Sequence, residues 1–164
     1  MALEIERKYK VLKLDKKHLP RKGYQVIQGY LNYEPVLRVR IAVLRHSVAS
    51  KQRRMVDNRK AIFSIKGKGL LSREEFEYPI PLFHARELLK FSLGTIKKTR
   101  YKIGRLELDI FHGKLKGLIL AEVELKNKRE KVRLPDWLKC SEVTYDPRYQ
   151  NNALAQFGLP PAKG

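Results

Sequence analysis

The sequence predicts a mainly β protein with a few helices, built as a barrel or a sandwich. Its 164 residues suit one domain and are enough to bury a genuine core. Apolar and polar residues alternate along much of the chain, and this period of two is typical of strands. No internal repeat, low-complexity linker or change of composition divides residues 1–164. Eight strands on so short a chain favour a barrel or a sandwich within a single domain.

Eight segments combine this alternation with the residue types that strands prefer. A hairpin with a very short turn is predicted around Gly104. The predicted strands are Leu3–Val11, Tyr24–Asn32, Val36–Leu44, Ala61–Lys66, Glu74–Ile80, Thr95–Ile103, Arg105–Phe111 and Leu118–Lys126.

Helical periodicity is confined to four places. Pro81–Ser92 begins with a proline, which the first turn of a helix accepts, and its apolar residues share one face. Asp15–Leu19 and Pro135–Lys139 are each predicted to form one short turn. Pro147–Phe157 is predicted as a terminal helix that Gly158 ends.

Charge and cysteine content exclude several classes of protein. The 36 Lys and Arg residues exceed the 17 Asp and Glu residues by a net charge of +19, which points to a polyanionic partner. No apolar run approaches the roughly 18 to 20 residues of a membrane helix. The N-terminal segment MALEIERKYK is charged where a signal peptide is apolar, so we expect a cytoplasmic protein with no membrane partner. The single cysteine, Cys140, excludes an internal disulfide framework and a cysteine-based zinc site.

One stretch, Arg45–Lys60, is densely basic, with six basic residues against one acidic residue. It has no apolar period and contains serine and asparagine. We therefore predict a solvated basic loop.

The polar faces of the predicted strands carry charged pairs of the same sign. Residues two apart share a face of a strand, and like charges repel unless an opposite charge lies between them. An ordinary solvated sheet face is the alternative, but such a face usually mixes Ser, Thr and Gln with the charges. The basic pairs are Arg38/Arg40, Lys66/Lys68 and Lys98/Arg100, and the acidic pairs are Glu4/Glu6, Glu75/Glu77, Glu107/Asp109 and Glu122/Glu124.

These pairs favour a charged, inward-facing lumen that binds a polyanion together with its cations. Carboxylates without a cluster of Cys or His favour Mg²⁺ or Mn²⁺ over zinc. Acidic pairs on the same surface argue against a nucleic-acid groove. The sequence has no phosphate loop, and its four histidines lack the spacing of a metal site or a catalytic triad.

The chain resembles the CYTH superfamily, also called triphosphate tunnel metalloenzymes, in a series of motifs from residue 3 to about 155. The first is the ExExK motif Glu4-Ile5-Glu6-Arg7-Lys8. The short bacterial inorganic triphosphatases are the most similar members, because they share the segment Gln28-Gly29-Tyr30-Leu31. The other motifs are Arg38-Val39-Arg40, Ile65-Lys66-Gly67, Arg73-Glu74-Glu75-Phe76-Glu77, Lys98-Thr99-Arg100-Tyr101, Leu106-Glu107-Leu108-Asp109, Ala121-Glu122-Val123-Glu124-Leu125, Glu142-Val143-Thr144, and Tyr149, Asn151 and Leu154.

The resemblance implies a closed, eight-stranded antiparallel barrel whose tunnel binds triphosphate and Mg²⁺ or Mn²⁺. It implies metal-dependent hydrolysis of inorganic triphosphate to diphosphate and phosphate. The superfamily also contains class IV adenylate cyclases and thiamine triphosphatases, so cyclisation of ATP or hydrolysis of an organic triphosphate is the alternative. A non-catalytic polyphosphate- or RNA-binding module is a second alternative, motivated by the net charge. The oligomeric state stays open, a homodimer included.

The resemblance also assigns roles to residues. Lys8 and Tyr30 form the expected catalytic pair, in which Lys8 takes a proton from water. Whether Lys8 is neutral at pH 7 stays open, because nearby cations and carboxylates shift its pKa in opposite directions. The expected metal ligands are Glu4, Glu6, Glu122, Glu124 and Asp109, with Glu75, Glu77 and Glu107 acting through water or other ligands. The expected phosphate ligands are Lys8, Arg38, Arg40, Lys66, Arg73, Lys98 and Arg100.

Overall fold

A ring of eight strands forms the body of the protein. The computed structural model describes residues 2–46 and 59–162. The ring consists of β1 (Ala2–Leu14), β2 (Lys22–Tyr33), β3 (Val36–His46), β4 (Arg59–Lys66), β5 (Ser72–Pro79), β6 (Gly94–Ile103), β7 (Leu106–Phe111) and β8 (Ile119–Glu124). A ninth strand and two helices complete the fold: β9 (Leu138–Glu142), α1 (Leu82–Leu89) and α2 (Asn151–Phe157).

Strand pairing closes the ring into a barrel, as predicted. The order is β1–β5–β4–β3–β2–β6–β7–β8, β8 pairs with β1 again, and all pairs are antiparallel. β1 is long enough to pair with two strands along the same side. Its first residues pair with β5, and its second half pairs with β9. Closure leaves the eight strands of the barrel without a free edge.

The outer face of the barrel is apolar and is covered on two sides. On one side α1 packs on β3 and β4, where Ala85 is fully buried with Val39 and Ile41. On the other side the segment before β9, including Val132 and Trp137, covers the outward residues of β1, β7 and β8. The apolar positions of the alternation therefore lie outside, and the charged positions face the lumen.

One end of the lumen is closed by an apolar layer. Tyr30, Ile96, Phe111 and Leu120 extend the inward faces of β2, β6, β7 and β8, and all four are buried. Leu154 of α2 packs into the same cluster and is 1% exposed. The lumen is therefore closed at the end where α2 lies.

Local turn chemistry fixes the register of the hairpin between β6 and β7. Gly104 has a φ of 61°, a conformation that glycine adopts without steric cost at the first central position of a two-residue turn. Ile103 pairs with Leu106 across this turn, and Arg100 pairs with Asp109 further along. The short hairpin predicted around Gly104 is confirmed.

The eight predicted strands are all present, and the helix predicted over Pro81–Ser92 is α1. The short turn at Asp15–Leu19 is a 3₁₀ helix whose N-cap, Asp15, accepts a hydrogen bond from the Lys17 backbone. No helix in the described ranges is long and apolar enough to cross a membrane.

Three local predictions need correction. The turn predicted over Pro135–Lys139 ends at Leu138, whose N–H donates to the Pro135 carbonyl, and β9 begins there. The helix predicted over Pro147–Phe157 is broken at Gln150, which has an extended backbone between a 3₁₀ turn and α2. The ends of the predicted Arg45–Lys60 loop belong to β3 and β4, and residues 47–58 lie outside the described ranges.

Candidate active site

The lumen contains two cavities that share part of their wall. The outer chamber has a volume of about 830 Å³ and includes Tyr24, Lys60 and Lys102 in its lining. The inner pocket has a volume of about 50 Å³ and lies towards the closed end. The residues that line both are Glu4, Glu6, Arg40, Glu75, Glu77, Arg100, Glu107 and Glu122.

Glu4 lies between two cations in the inner pocket. Both of its carboxylate oxygens are 3.1 Å from the Lys66 Nζ atom, and Arg73 Nε donates to Oε2 at 3.0 Å. Burial alone would raise the pKa of Glu4, but Lys66 and Arg73 lower it to about 2. Lys66 also lies 2.9 Å from Glu75. This wall is therefore a network of alternating charges.

A second network joins β3, β4 and β5. Arg38 is 4% exposed and donates to Ser64 at 3.1 Å and to Glu77 at 3.3 Å. Arg40 reaches the same Glu77 oxygen at 3.4 Å. Glu77 thus neutralises the two arginines that the sequence predicts to repel each other.

A third network is buried between β6, β7 and β8. Asp109 is fully buried and accepts hydrogen bonds from Arg100 and from Lys98. Burial and the neighbouring Arg100 lower the pKa of Lys98 to about 8, although Asp109 opposes this shift. Arg100 also donates to Glu122 at 2.8 Å and contacts Glu107.

Lys8 lies beneath the cavities. It is 2% exposed, its Nζ atom is 3.1 Å from Glu122 and 3.8 Å from Glu6, and it donates to the Tyr149 carbonyl at 3.4 Å. Burial opposes protonation, but Glu122 and Glu6 raise the pKa of Lys8 and keep it charged. The Lys8 backbone is held by the C-terminal segment: the Thr144 hydroxyl accepts from the Lys8 N–H at 3.0 Å and donates to Glu142 at 2.8 Å, and the Val143 N–H donates to the Lys8 carbonyl at 2.8 Å.

Tyr30 is near Lys8 but is bonded elsewhere. Its hydroxyl accepts a hydrogen bond of 2.8 Å from the side chain of Gln28, and burial raises its pKa. Within the described part of the chain, no hydrogen bond joins Tyr30 to Lys8, and neither residue lines either cavity. The catalytic pair therefore stays a prediction.

The chemistry of the carboxylates suits a hard divalent cation. No cation among the described residues lies within hydrogen-bond distance of Glu6, and burial together with the charge of Glu122 raises its pKa to about 7. Glu124 lies directly opposite Glu6 on β8. A divalent cation would stabilise such carboxylates. No three acidic, His or Cys side chains in the described ranges already converge on one point, so other ligands would have to complete the coordination.

The structure brings most of the predicted site residues together. Asp109 is inside the barrel, but its oxygens bind Arg100 and Lys98 and it does not line either cavity. Lys68 was paired with Lys66 by the sequence pattern, but it is an exposed residue that contacts Glu34 outside the site. The predicted residues that line one or both cavities are Glu4, Glu6, Arg38, Arg40, Lys66, Arg73, Glu75, Glu77, Lys98, Arg100, Glu107, Glu122 and Glu124.

Sequence reasoning missed several residues of the lumen. Lys102 continues the inward alternation of Lys98 and Arg100, so this signal was present in the sequence. Asn151 lines the inner pocket, but it reaches the pocket from α2 and belongs to no strand pattern. The only signal for Asn151 in the sequence was that it belongs, with Tyr149 and Leu154, to the C-terminal motif of the resemblance.

Comparison with known proteins gives a consistent result. Residues 2–153 match the CYTH domain. An inorganic triphosphatase of Acetivibrio thermocellus is 35% identical over 163 residues, covering 95% of each chain. An inorganic triphosphatase of Nitrosomonas europaea is 39% identical over 101 residues, which is 56% of this chain and 66% of that protein. The crystal structure of the inorganic triphosphatase NE1496 superposes with a TM-score of 0.59 at 29% identity, covering 95% of this chain and 96% of that one.

Proposed function

Because the chain belongs to the CYTH domain family, we propose that it hydrolyses inorganic triphosphate to diphosphate and phosphate. Relatives that are 35% and 39% identical are named inorganic triphosphatases. The observation that carries the proposal is the inner pocket, whose wall holds five cationic and six anionic side chains in a space closed at one end. Such a wall suits a small, highly charged anion that arrives with cations of its own.

The cations of the inner pocket would bind phosphate oxygens. Arginine offers a planar fork for two oxygens, and lysine acts as a point charge. Without substrate these cations are bound to carboxylates, as Lys66 is to Glu4 and Glu75. Binding triphosphate would therefore exchange one anionic partner for another, and it would leave the carboxylates to find a new cation.

Mg²⁺ or Mn²⁺ is the proposed partner of those carboxylates. Glu4, Glu6, Glu122 and Glu124 would hold the ion, with phosphate oxygens and water completing its coordination. When bound, the ion would neutralise phosphate charge and lower the pKa of a bound water. The fully paired carboxylate of Asp109 would instead hold Arg100 and Lys98 in position.

The protein would contribute charge and alignment to the chemistry. Phosphoryl transfer needs little covalent help from the protein, and most of the catalysis comes from positioning the phosphates and stabilising their charge. Arg38, Arg40 and Arg100 would fix the chain of phosphates from several strands at once. Lys8 and Tyr30 are the proposed pair for the water. Because Glu122 and Glu6 keep Lys8 charged in the free protein, Lys8 would take a proton only after these carboxylates had turned to a bound cation. Thr144 of the C-terminal segment holds the Lys8 backbone in place.

A second candidate is hydrolysis or cyclisation of an organic triphosphate such as ATP. The outer chamber is far larger than the inner pocket, and it contains Tyr24 with Lys102 positioned 5.7 Å from the centre of its ring. A base or another aromatic group could stack there while its phosphates entered the lumen. This observation favours testing organic triphosphates beside the inorganic one.

A substrate panel tests the proposal. Purified protein is incubated with inorganic triphosphate, ATP or thiamine triphosphate in the presence of Mg²⁺, Mn²⁺ or EDTA, and phosphate and nucleotide products are measured. We expect inorganic triphosphate to be hydrolysed fastest, with activity only when metal is present. Faster conversion of ATP, including formation of cyclic AMP, would instead favour the second candidate.

Two variants serve as controls for the panel. The double variant Glu4→Gln, Glu6→Gln should lose activity, because it removes carboxylates from the lumen wall. Glu74→Gln should retain it, because Glu74 is exposed on the outward face of β5. Phosphate release no greater than that of the double variant would contradict the proposal. RNA binding that persists in EDTA without any triphosphatase activity would favour a non-catalytic binding module.

A further inference from the structure

Asn151 differs from every other residue of the inner pocket. The other eleven lining residues are charged side chains from barrel strands, whereas Asn151 is neutral and comes from α2. Each of the eleven lies within 4 Å of an opposite charge. The Asn151 side chain makes no hydrogen bond to any residue in the described ranges, and its Oδ1 atom is buried without a partner.

The position of Asn151 is fixed by its neighbours in sequence. Tyr149, two residues earlier, accepts a hydrogen bond from Lys8 through its carbonyl. Leu154, three residues later, is buried in the apolar layer that closes the lumen. Buried polar groups are normally hydrogen-bonded, so the Asn151 amide at the closed end is expected to bond to a polar atom of a ligand that enters the lumen.

The inner pocket has the size of one phosphoryl group. Its volume of about 50 Å³ is room for a few water-sized groups. The outer chamber is wide and the far end is closed, so a linear triphosphate would enter with one end leading. The leading end is a terminal phosphate, and it would fill the inner pocket while the rest of the chain extended into the outer chamber.

We propose that Asn151 recognises this terminal phosphate through its side-chain amide and thereby selects substrates that end in an unsubstituted phosphate. An amide group carries donors for phosphate oxygens, and it adds no further positive charge to a wall already rich in cations. A half-turn of the side chain exchanges its two ends, so the NH₂ group can face the pocket. This inference rests on the proposed function, because it concerns which end of the triphosphate lies in the pocket.

A pair of matched variants tests the role of Asn151. Asn151→Asp places a negative charge beside the phosphate at nearly unchanged volume, and Asn152→Asp makes the same change one residue further along α2, outside both cavities. We expect Asn151→Asp to raise KM for triphosphate roughly tenfold or more, by repulsion between like charges. Asn152→Asp should leave KM within about twofold. Asn151→Ala should raise KM by about tenfold, the loss of one hydrogen bond to a charged group.

Measurements of orthophosphate binding separate this inference from the proposed function. Calorimetry on the wild type and both Asp variants reports binding at the pocket even if the wild type hydrolyses nothing. If Asn151→Asp loses orthophosphate binding, Asn152→Asp keeps it and both retain the melting temperature, the inference is supported. This holds whether or not the wild type hydrolyses triphosphate. Equal effects of the two Asp variants, or wild-type KM and binding in Asn151→Ala, would overturn it.

Discussion

Arg100 and Asp109 lie directly opposite each other on β6 and β7 and form two hydrogen bonds of 2.7 Å inside the barrel. Lys98 donates to the same carboxylate at 2.6 Å. Asp109 therefore compensates the buried Lys98 and part of the charge of Arg100, which also contacts Glu122 and Glu107. Charges removed from water are tolerated only when they are paired in this way.

Replacing Asp109 by Asn is expected to destabilise the fold strongly. The change leaves the buried Lys98 without the carboxylate that it is bonded to, while Arg100 keeps Glu122 and Glu107. Removing one partner of a buried pair costs about 3–5 kcal/mol. Chemical denaturation of the variant measures this loss in the free energy of unfolding. Asp136→Asn is the control, because Asp136 is exposed. A loss below about 1 kcal/mol in Asp109→Asn would contradict the account of this network.

Thr144 should influence catalysis through Lys8. Thr144→Val leaves the buried backbone N–H of Lys8 without its acceptor, at a cost of about 1–3 kcal/mol in stability. The displaced Lys8 should also lower kcat. Thr144→Ser keeps the hydroxyl and should restore both quantities. Kinetics and thermal unfolding of the two variants provide the measurement. Equal kcat and equal stability of Thr144→Val and Thr144→Ser would show that the hydroxyl is not needed.

Tyr30→Phe tests the predicted catalytic pair. If the hydroxyl orients Lys8 for the attack of water, the variant lowers kcat at nearly constant KM. Tyr101→Phe is the matched control, since Tyr101 packs on the outer face of the same barrel. Wild-type turnover in Tyr30→Phe, with an unchanged pH profile, would remove Tyr30 from the mechanism.

Gly29 is required by the close approach of the chain that follows α1. A Cβ atom at Gly29 would lie 2.0 Å from Ser92 Oγ and 2.7 Å from Leu89 Cδ2. Gly29→Ala should therefore destabilise the protein by about 1–3 kcal/mol through overpacking. Gly67→Ala is the control, because its added Cβ would meet no atom closer than 3.7 Å. Similar unfolding free energies for the two variants would contradict the packing of α1 on β2.

The thiol of Cys140 should react slowly at neutral pH. Partial burial in β9 raises its pKa above the ordinary value, so a smaller fraction is thiolate at any given pH. The alkylation rate should rise with pH and reach its midpoint above that of a cysteine in an unfolded peptide. Alkylation rates measured from pH 7 to 10, with and without denaturant, give the midpoints of the folded and the unfolded chain for comparison. A midpoint at or below that of the denatured chain would contradict the burial of Cys140.

The barrel and much of its lining could be predicted because the information is local. Alternation assigns residues to the two faces of each strand, and same-sign pairs such as Glu4/Glu6 indicate that the charged face is not simply solvated. The register of β6 on β7 also follows from the sequence, since the two-residue turn at Gly104 sets Arg100 opposite Asp109. Pairing between distant strands has no such local signal.

The missed features depend on contacts between distant parts of the chain. β9 is a short strand, LKCSE, that follows a proline-containing turn and is stabilised by pairing with β1. Lys68 continues the alternation of Lys66 in the sequence, but β4 ends at Lys66 and the chain turns away. Asn151 enters the pocket only because Leu154 docks α2 in the apolar layer. None of these outcomes follows from periodicity.

The place of β1 in the ring has a consequence for the synthesis of the protein. β1 pairs with β5, β8 and β9, and Lys8 bonds to Thr144, 136 residues further along the chain. Glu4, Glu6 and Lys8 therefore leave the ribosome long before the strands and the C-terminal segment that complete their surroundings. Such distant pairings are formed slowly, because a long loop must close before any contact is gained. A nascent chain consequently exposes the part of β1 that pairs with β8 and β9 until those strands emerge, and it acquires its closed tunnel only after β8 has been synthesised.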